Sequence, residues 1–571
     1  MEKIVKRSNF PVIPAYIGGA WGSIFSYKYR RLLSRLPVRI PYPVTIIFDK
    51  PLPSTTTAED AEQAVALLSV EYFNSLKSKE RTLQRMFIKI ARNNWFKECI
   101  SDSTGKRFTY GKLLTSSLAL ANAIKLDVKS GRMVGIALPP SAGGVVCNLA
   151  VLLCGKIPVN INFTTSAEAI DSAIKQCGIN MIISSRAFIE KVPSFHPSVR
   201  MIFVEDVVSG ISSGMKLKAL LKAIVVPVCL LTDKSTTSDS VATVIFSSGT
   251  TGEPKGVMLT HHNIISNLES FGGVFSFTKQ DKICGILPFF HSFGFTCTLW
   301  CPLLQEVKVC YHSNPLEAEK IGKLVKSEKA TIIMTTPTFL LSYIRKIPAD
   351  EFRSLRAVIV GTEKLRKNIA DAFEEKFKMR PLEGYGTTEL SPVVSVNLPD
   401  VEINNVKQLC HKEGSVGHPI PGVVAKIVDP DTMEQLPTGE EGLLLVKGPN
   451  LMSGYLNKPE LTAAVLHNGW YNTGDIARID SDGFIYILDR LSRYSKIAGE
   501  MIPHIAIEEK FYSLLNITGQ ELAVTSVPDE KKGEQLVVVY TPSAGTAEQL
   551  YNAISSSDLP NLWKPKKENY F

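Results

Sequence analysis

The sequence predicts an α/β protein: a parallel sheet covered by helices, followed by a smaller region of short strands. Two observations predict the first part. From about residue 107, apolar runs of strand length (MVGIAL, INMIIS, ATIIMTTP, LRAVIVG) alternate with helix-length segments such as AGGVVCNLAVLLCG. Strands buried on both faces need such unbroken runs, and parallel strands need the connecting helices. The third observation concerns the end of the chain. After about residue 415 the segments shorten to VAKIVD, EGLLLVKG and FIYILD between glycine turns, which suits a barrel or an antiparallel sheet. The chain has 571 residues, 44% apolar and 21% charged, which excludes a disordered chain, a collagen-like fibre and a disulfide mini-protein. Its length suits about three to five units.

Along the chain, residues 1–50 read unlike the start of a domain. NFPVIPAYIGG is a strand-like run that begins abruptly, and a basic segment follows. Nine Lys or Arg (Lys3, Lys6, Arg7, Lys28, Arg30, Arg31, Arg35, Arg39 and Lys50) face only Glu2 and Asp49, which makes +7 of the whole chain's +9. Such an end favours an anionic membrane surface or an acidic protein. Nucleic acid is not expected, because no aromatic-basic repeat or zinc-finger spacing accompanies the charge. Residues 51–60 read as a linker ending in Thr57 as a helix cap, and 60–94 as one long helical pattern. The uncharged stretches Val134–Gly155 and Ile283–Gln305 are long enough to span a bilayer, but their prolines and glycines point to buried α/β core. No secretory signal is expected at the start. The ten cysteines show no CxxC pair and read as reduced thiols of a cytosolic protein.

The segment richest in chemistry is VIFSSGTTGEPKGVM, Val244–Met258. An apolar strand enters a loop of Ser247, Ser248, Gly249, Thr250, Thr251 and Gly252, with Lys255 three residues later. Small residues let backbone N–H groups approach a phosphate, hydroxyls add donors, and the lysine adds a mobile positive charge. The spacing differs from the common P-loop.

This loop resembles the phosphate-binding signature of the adenylate-forming enzymes, the acyl-CoA synthetase superfamily. Further motifs similar to that family follow in order: PFFHSFG (Pro288–Gly294), GTEKL (Gly361–Leu365), GYGTTE (Gly384–Glu389), WYNTGD (Trp470–Asp475), LDR (Leu488–Arg490) and KIAGE (Lys496–Glu500). The resemblance covers roughly residues 85–530. It implies a large N-terminal domain of stacked αβαβα sheets plus a β-barrel, and a small mobile α+β lobe. The expected borders are 1–50, a linker and helix at 51–84, the large domain at 85–490 and the lobe at 491–571. It further implies ATP and Mg²⁺ as cofactors. The 247–255 loop would hold the β- and γ-phosphates, with Thr250 and Glu389 as metal ligands, since hard oxygens suit Mg²⁺. Thr388 would contact the α-phosphate, and Tyr385 would lie against adenine. Gly361, Thr362, Gly386 and Thr387 would complete the nucleotide site. Asp475 would accept hydrogen bonds from both ribose hydroxyls, and Arg490 would reach ribose or phosphate. His291 would stand at the mouth of an acyl tunnel. The lobe would hinge near Ser492, and Lys496 would face the site during thiol transfer. A second lysine, in a segment like LLGTGKxD, is not found before the chain ends at LWKPKKENYF, and Lys564, Lys566 and Lys567 read as a solvated charge run.

The first fifty residues are similar to the closing part of a glycerolipid acyltransferase domain, which in some bacterial proteins precedes an acyl-acyl-carrier-protein synthetase at the inner membrane. The HxxxxD pair of such domains is absent: His312 and His504 have Glu317 and Glu509 at that distance. The acyltransferase half is therefore expected to be inactive or supplied by sequence outside this chain, and the chain resembles a fused synthetase cropped at both ends. The implied activity is ATP-dependent activation of a medium- or long-chain fatty acid and its transfer to acyl carrier protein, in phospholipid acyl recycling, by a cytoplasmic protein peripheral to the inner membrane. A fatty-acid CoA ligase and a nucleotide-binding pseudoenzyme are the alternatives. GISSG (Gly210–Gly214) also matches the nucleophile elbow of α/β-hydrolases, with Ser212 as nucleophile.

Overall fold

The computed structural model describes residues 10–20, 43–125, 131–247, 253–403, 406–497, 500–515, 517, 521–529 and 533–571. By contacts the chain divides into two compact units, Met1–Val424 with Lys447–Gly469, and Ala425–Val446 with Trp470–Phe571.

In the first unit the apolar runs are strands of two sheets. A four-stranded parallel sheet has the order Ile157–Asn160, Met133–Ile136, Met181–Ser184, Arg200–Phe203. A nine-stranded sheet runs His418–Pro419, Val393–Val396, Leu382–Gly386, Ala357–Val360, Ile332–Thr335, Lys282–Gly285, Lys308–Tyr311, Glu98–Asp102, Arg107–Thr109. Its six central strands are parallel and its edge pairs antiparallel. Ile332–Thr335 and Ala357–Val360 are buried at every position, which is why the sequence there is continuously apolar rather than alternating. A third sheet is the antiparallel hairpin Val241–Ser247/Lys255–Thr260, with Gly454–Tyr455 on its outer edge.

Of the N-terminal residues, Ala15–Gly18 pairs antiparallel with Thr45–Phe48. The basic residues Lys3, Lys6, Arg7, Lys28, Arg30, Arg31, Arg35 and Arg39 lie outside the described residues. Thr57 caps helix Ala58–Ser75 in a capping box with Asp60. The expected single helix over 60–94 is two helices, Ala58–Ser75 and Leu83–Asn93. Between them Arg81 N–H closes a turn on the Ser78 carbonyl, and the Arg81 guanidinium turns away to Glu269 at 2.5 Å. The two uncharged stretches are strand–loop–helix core, and among the described residues no helix is long and apolar enough to cross a membrane.

The second unit contains antiparallel strands Gly442–Lys447, Trp470–Ile479 and Ile485–Arg490, in one sheet with Val424–Val428. A sheet of this kind is one of the two architectures its glycine turns left open. Hairpins Tyr494–Ile497/Glu500–Pro503 and Leu522–Asp529/Gly533–Tyr540 and helices His504–Leu515 and Ala547–Ser555 follow. They share a core of Ile502, Ile507, Phe511, Leu536, Val538, Leu550 and Ile554. Lys564 corrects the reading of the end as a solvated charge run. Its ammonium donates to the Ser555 and Ser557 carbonyls at 3.1 and 2.9 Å, satisfying carbonyls at the end of the last helix.

Candidate active site

The loop hairpin places Ser247 and Lys255 opposite each other, Ser247 ending one strand and Lys255 opening the next. Ser248, Gly249, Thr250, Thr251 and Gly252 lie outside the described residues. Lys255 holds its ammonium 5.5 Å from the ring centroid of Tyr455, which stands on the neighbouring edge strand. That ring face attracts the cation and fixes where the lysine emerges.

Tyr455 also holds Glu389. Its hydroxyl donates to Glu389 Oε1 at 2.8 Å, and both side chains are buried. Glu389 sits in a short 3₁₀ turn, Thr388–Leu390, directly after strand Leu382–Gly386. The turn is clamped from outside. Asn450 Nδ2 donates to the Leu390 and Val393 carbonyls, Ser391 Oγ to the Asn450 carbonyl, and Met452 N–H to the Glu389 carbonyl. Thr388 Oγ1 lies 3.3 Å from Ser292 Oγ, joining GYGTTE to PFFHSFG. Thr387 Oγ1 is buried without a hydrogen-bond partner among the described residues, a cost usually offset by a ligand or water. Tyr455, Asn450 and Ser292 were not among the residues expected from sequence.

The expected loops share one end of the sheet because they leave its parallel strands at their carboxyl ends. GTEKL follows Ala357–Val360, GYGTTE ends Leu382–Gly386, and PFFHSFG follows Lys282–Gly285 in the same sheet. Ligands of open parallel sheets bind at that end. The approach is close: a Cβ on Gly361 would stand 3.4 Å from the Gly384 carbonyl and 3.7 Å from the Phe293 ring, and one on Gly386 would stand 1.9 Å from the Pro392 carbonyl. Thr362 has φ +75°, a left-handed conformation rare for a β-branched residue and concentrated at functional sites. Tyr385 is half-buried on its strand, in register with Ser395. Glu383 is a further missed residue. Its Oε1 accepts the Leu365 N–H at 3.2 Å, tying GTEKL to the GYGTTE strand, and burial pushes its carboxyl up to about 7.

His291 is exposed, with its ring centroid 4.8 Å from that of Phe290. The elbow motif is overturned. Gly210–Gly214 follows helix Val204–Ser209 rather than a strand, and Ser212 Oγ accepts the Met215 N–H as the cap of helix Ser213–Val225. A capping hydroxyl on a helix start is not a strained nucleophile.

In the second unit, Asp475 and Arg490 face each other across antiparallel strands, and Arg490 Nε lies 3.1 Å from Asp475 Oδ1. Asp475 is 3% exposed, and its N–H donates to Thr473 Oγ1. Asp489, between these two strands' ends and the lobe, accepts the Ile505 and Arg490 N–H groups and so ties LDR to the start of helix His504–Leu515. Its carboxyl is raised by burial, which these hydrogen bonds only partly offset. Ser492 lies in the turn Leu491–Arg493, and Lys496 on strand Tyr494–Ile497, its side chain outside the described part.

A family model described as AMP-binding enzyme matches residues 88–456. The chain belongs to the AMP-binding enzyme family. It is 29% identical over 503 residues to a long-chain-fatty-acid–CoA ligase of Bacillus subtilis (strain 168), covering 81% of this chain and 86% of that one. It is 30% identical over 469 residues to 4-coumarate–CoA ligase 1 of Petroselinum crispum, covering 79% and 84%. Its fold is similar to that of ATP-bound MatB from Rhodopseudomonas palustris, with a TM-score of 0.70 at 24% identity over 85% of this chain and 94% of that one. As a member of the family it is an AMP-forming ligase that uses ATP with Mg²⁺. The donor set fits that ion. Glu389 offers a buried carboxylate whose only side-chain hydrogen bond among the described residues comes from Tyr455. No group of three or more His, Cys, Asp or Glu able to hold a metal occurs among them. Mg²⁺ is usually held this way, by one or two carboxylates with substrate phosphates and water.

Proposed function

We propose that the chain activates a medium- or long-chain fatty acid as acyl-AMP and passes the acyl group to a phosphopantetheine thiol. The observation that carries this reading is the cluster in which Tyr455 holds both Lys255 and Glu389 beside the phosphate loop. In the first half-reaction a carboxylate oxygen attacks the α-phosphorus of ATP, the bond from that phosphorus to the bridging oxygen breaks, and pyrophosphate leaves. Lys255 and the 247–252 backbone bind and orient the β- and γ-phosphates. Thr388 and Thr387 present hydroxyls to the α-phosphate, and Glu389 would hold the metal, which would supply charge neutralisation to the phosphates. Tyr385 packs on adenine, Gly361, Thr362 and Gly386 shape the edge of its pocket, and Asp475, oriented by Arg490, binds the ribose. In the second half-reaction the thiol sulfur attacks the acyl carbonyl, its proton passes to solvent and AMP leaves; Lys496 acts in this step.

The fatty-acid relative supports an aliphatic substrate, and the CoA ligases among the relatives support coenzyme A as acceptor. The +7 charge of residues 1–50 favours the second reading, acyl carrier protein, whose surface is acidic, and an anionic membrane beside it. Both acceptors present the same thiol. One assay separates them: full-length protein with Mg²⁺, ATP and fatty acids of graded length, given coenzyme A or acyl carrier protein. AMP and pyrophosphate that depend on the fatty acid support the reading, and the better acceptor names the thiol. ATP binding with no AMP from any acid would leave a nucleotide-binding pseudoenzyme instead.

A further inference from the structure

We propose that helix Ser213–Val225 is a lipid-facing surface that lays its outer side on an anionic bilayer. The helix (SGMKLKALLKAIV) meets the protein along one narrow edge. Ala219 and Ala223 are the residues it buries, and Arg92 Nε donates to the Ala223 carbonyl at 2.8 Å. At about 3.6 residues per turn the larger apolar side chains fall on the side away from that edge. Leu217 is 56% exposed, Leu221 54%, Ile224 52% and Val225 72%. Leu220, 36% exposed, widens the stripe. A surface helix ordinarily turns its apolar stripe inward, and a contiguous exposed patch marks a partner.

Charge selects the partner. Lys216 borders the stripe on one side and Lys218 and Lys222 on the other, and no acidic residue occurs from 211 to 232. The nearest acids in sequence are engaged, Asp206 with Arg186 at 2.7 Å and Asp233 with the Ser235 hydroxyl at 2.8 Å. A second copy of this face would set lysine against lysine. An anionic lipid surface meets both demands: the leucines enter the acyl boundary while the lysines reach the headgroups. This surface lies far from residues 1–50 in sequence and is independent of which acid or thiol the enzyme uses.

The test is partitioning of the full chain onto vesicles of phosphatidylcholine with about one-third phosphatidylglycerol, beside phosphatidylcholine alone. Binding should prefer the anionic vesicles and weaken with salt. Leu221→Glu with Ile224→Glu should lower partitioning at least about tenfold, and Lys216→Gln with Lys218→Gln about threefold on anionic vesicles only. All four residues are exposed, so melting temperatures should hold. A polarity-sensitive dye on Cys229, an exposed thiol close to the helix end, should shift to the blue with vesicles. Equal partitioning of wild type and the double glutamate variant, with no dye shift, would overturn the proposal. So would a dimer in sedimentation velocity that the glutamates dissolve while vesicle binding stays unchanged, since the face would then serve a second copy. Fatty-acid activation that fails while partitioning behaves as stated would count against the proposed function alone.

Discussion

Tyr455 shows how one side chain can serve two others. Its ring steadies a cation and its hydroxyl a carboxylate. Tyr455→Phe keeps the ring and deletes the hydroxyl, so Lys255 keeps its seat while buried Glu389 loses its donor. A hydrogen bond to a charged group contributes roughly 1.5–3 kcal/mol, so Mn²⁺ affinity with bound ATP should fall about tenfold. Electron paramagnetic resonance titration with Mn²⁺ reads this without turnover. Glu389→Gln should go further and cost about two powers of ten in AMP formation; unchanged turnover at saturating Mg²⁺ would remove Glu389 from the metal site. Glu383 gives a pH signature. Its carboxyl is raised to about 7 by burial, so the folded protein holds a proton that the unfolded chain releases at lower pH. Stability should therefore fall as pH rises from about 4.5 towards 7 and stay lower above it. Glu383→Gln keeps an acceptor for Leu365 N–H and removes the charge, and it should raise stability at pH 8 by on the order of 1–3 kcal/mol. Denaturant midpoints at pH 5 and pH 8 would show it, and equal gains at both would assign the effect to packing.

At the scale of elements, the strand that enters the Ser247–Lys255 segment and the parallel strands were legible because their physics is local. Ile332–Thr335 and Ala357–Val360 are apolar throughout because both faces are buried. The loop was legible because small residues, hydroxyls and a lysine at one spacing have few other uses. The break at 76–82 was missed although the polar run Lys77–Thr82 interrupts the apolar spacing there; the Arg81–Glu269 pair that accompanies it joins residues 188 apart. Tyr455 was illegible because it reaches Glu389 from 66 residues away, through an edge strand of two residues. Lys564 read as solvated charge because carbonyls at a helix end leave no mark in the sequence around a lysine. Where glycine was legible as a motif, the structure supplies the cause. A Cβ at position 386 would stand 1.9 Å from the Pro392 carbonyl, so Gly386→Ala must push the strand Val393–Val396 away from its partner. The expected cost is about 1–3 kcal/mol of stability and a weakened nucleotide site. Calorimetric AMP binding at wild-type affinity in a stable Gly386→Ala protein would show that the turn has room.

For the whole molecule, the residues to which roles are proposed fall in two compact units. Lys255, Thr388 and Glu389 belong to the first, and Asp475, Arg490 and Lys496 to the second. The roles proposed for these residues predict how substitutions separate the two half-reactions. Asp475 is buried at an ion pair with Arg490. Asp475→Ala should weaken ATP and AMP binding together, by about tenfold or more if two ribose hydrogen bonds to a charged acceptor are lost. Lys496 is proposed to serve thiol transfer alone. Lys496→Ala should therefore leave fatty-acid-dependent pyrophosphate exchange within about twofold of wild type and slow acyl transfer from supplied acyl-AMP by about a hundredfold, a size typical of losing a group aimed at developing charge. Glu389→Gln should show the reverse pattern, with exchange lost and transfer from supplied acyl-AMP retained, because the metal is needed only while pyrophosphate leaves. The two variants assayed side by side decide the assignment. If Lys496→Ala loses exchange and transfer in equal measure, the lysine serves both half-reactions or the fold of its hairpin, and the role proposed for it fails.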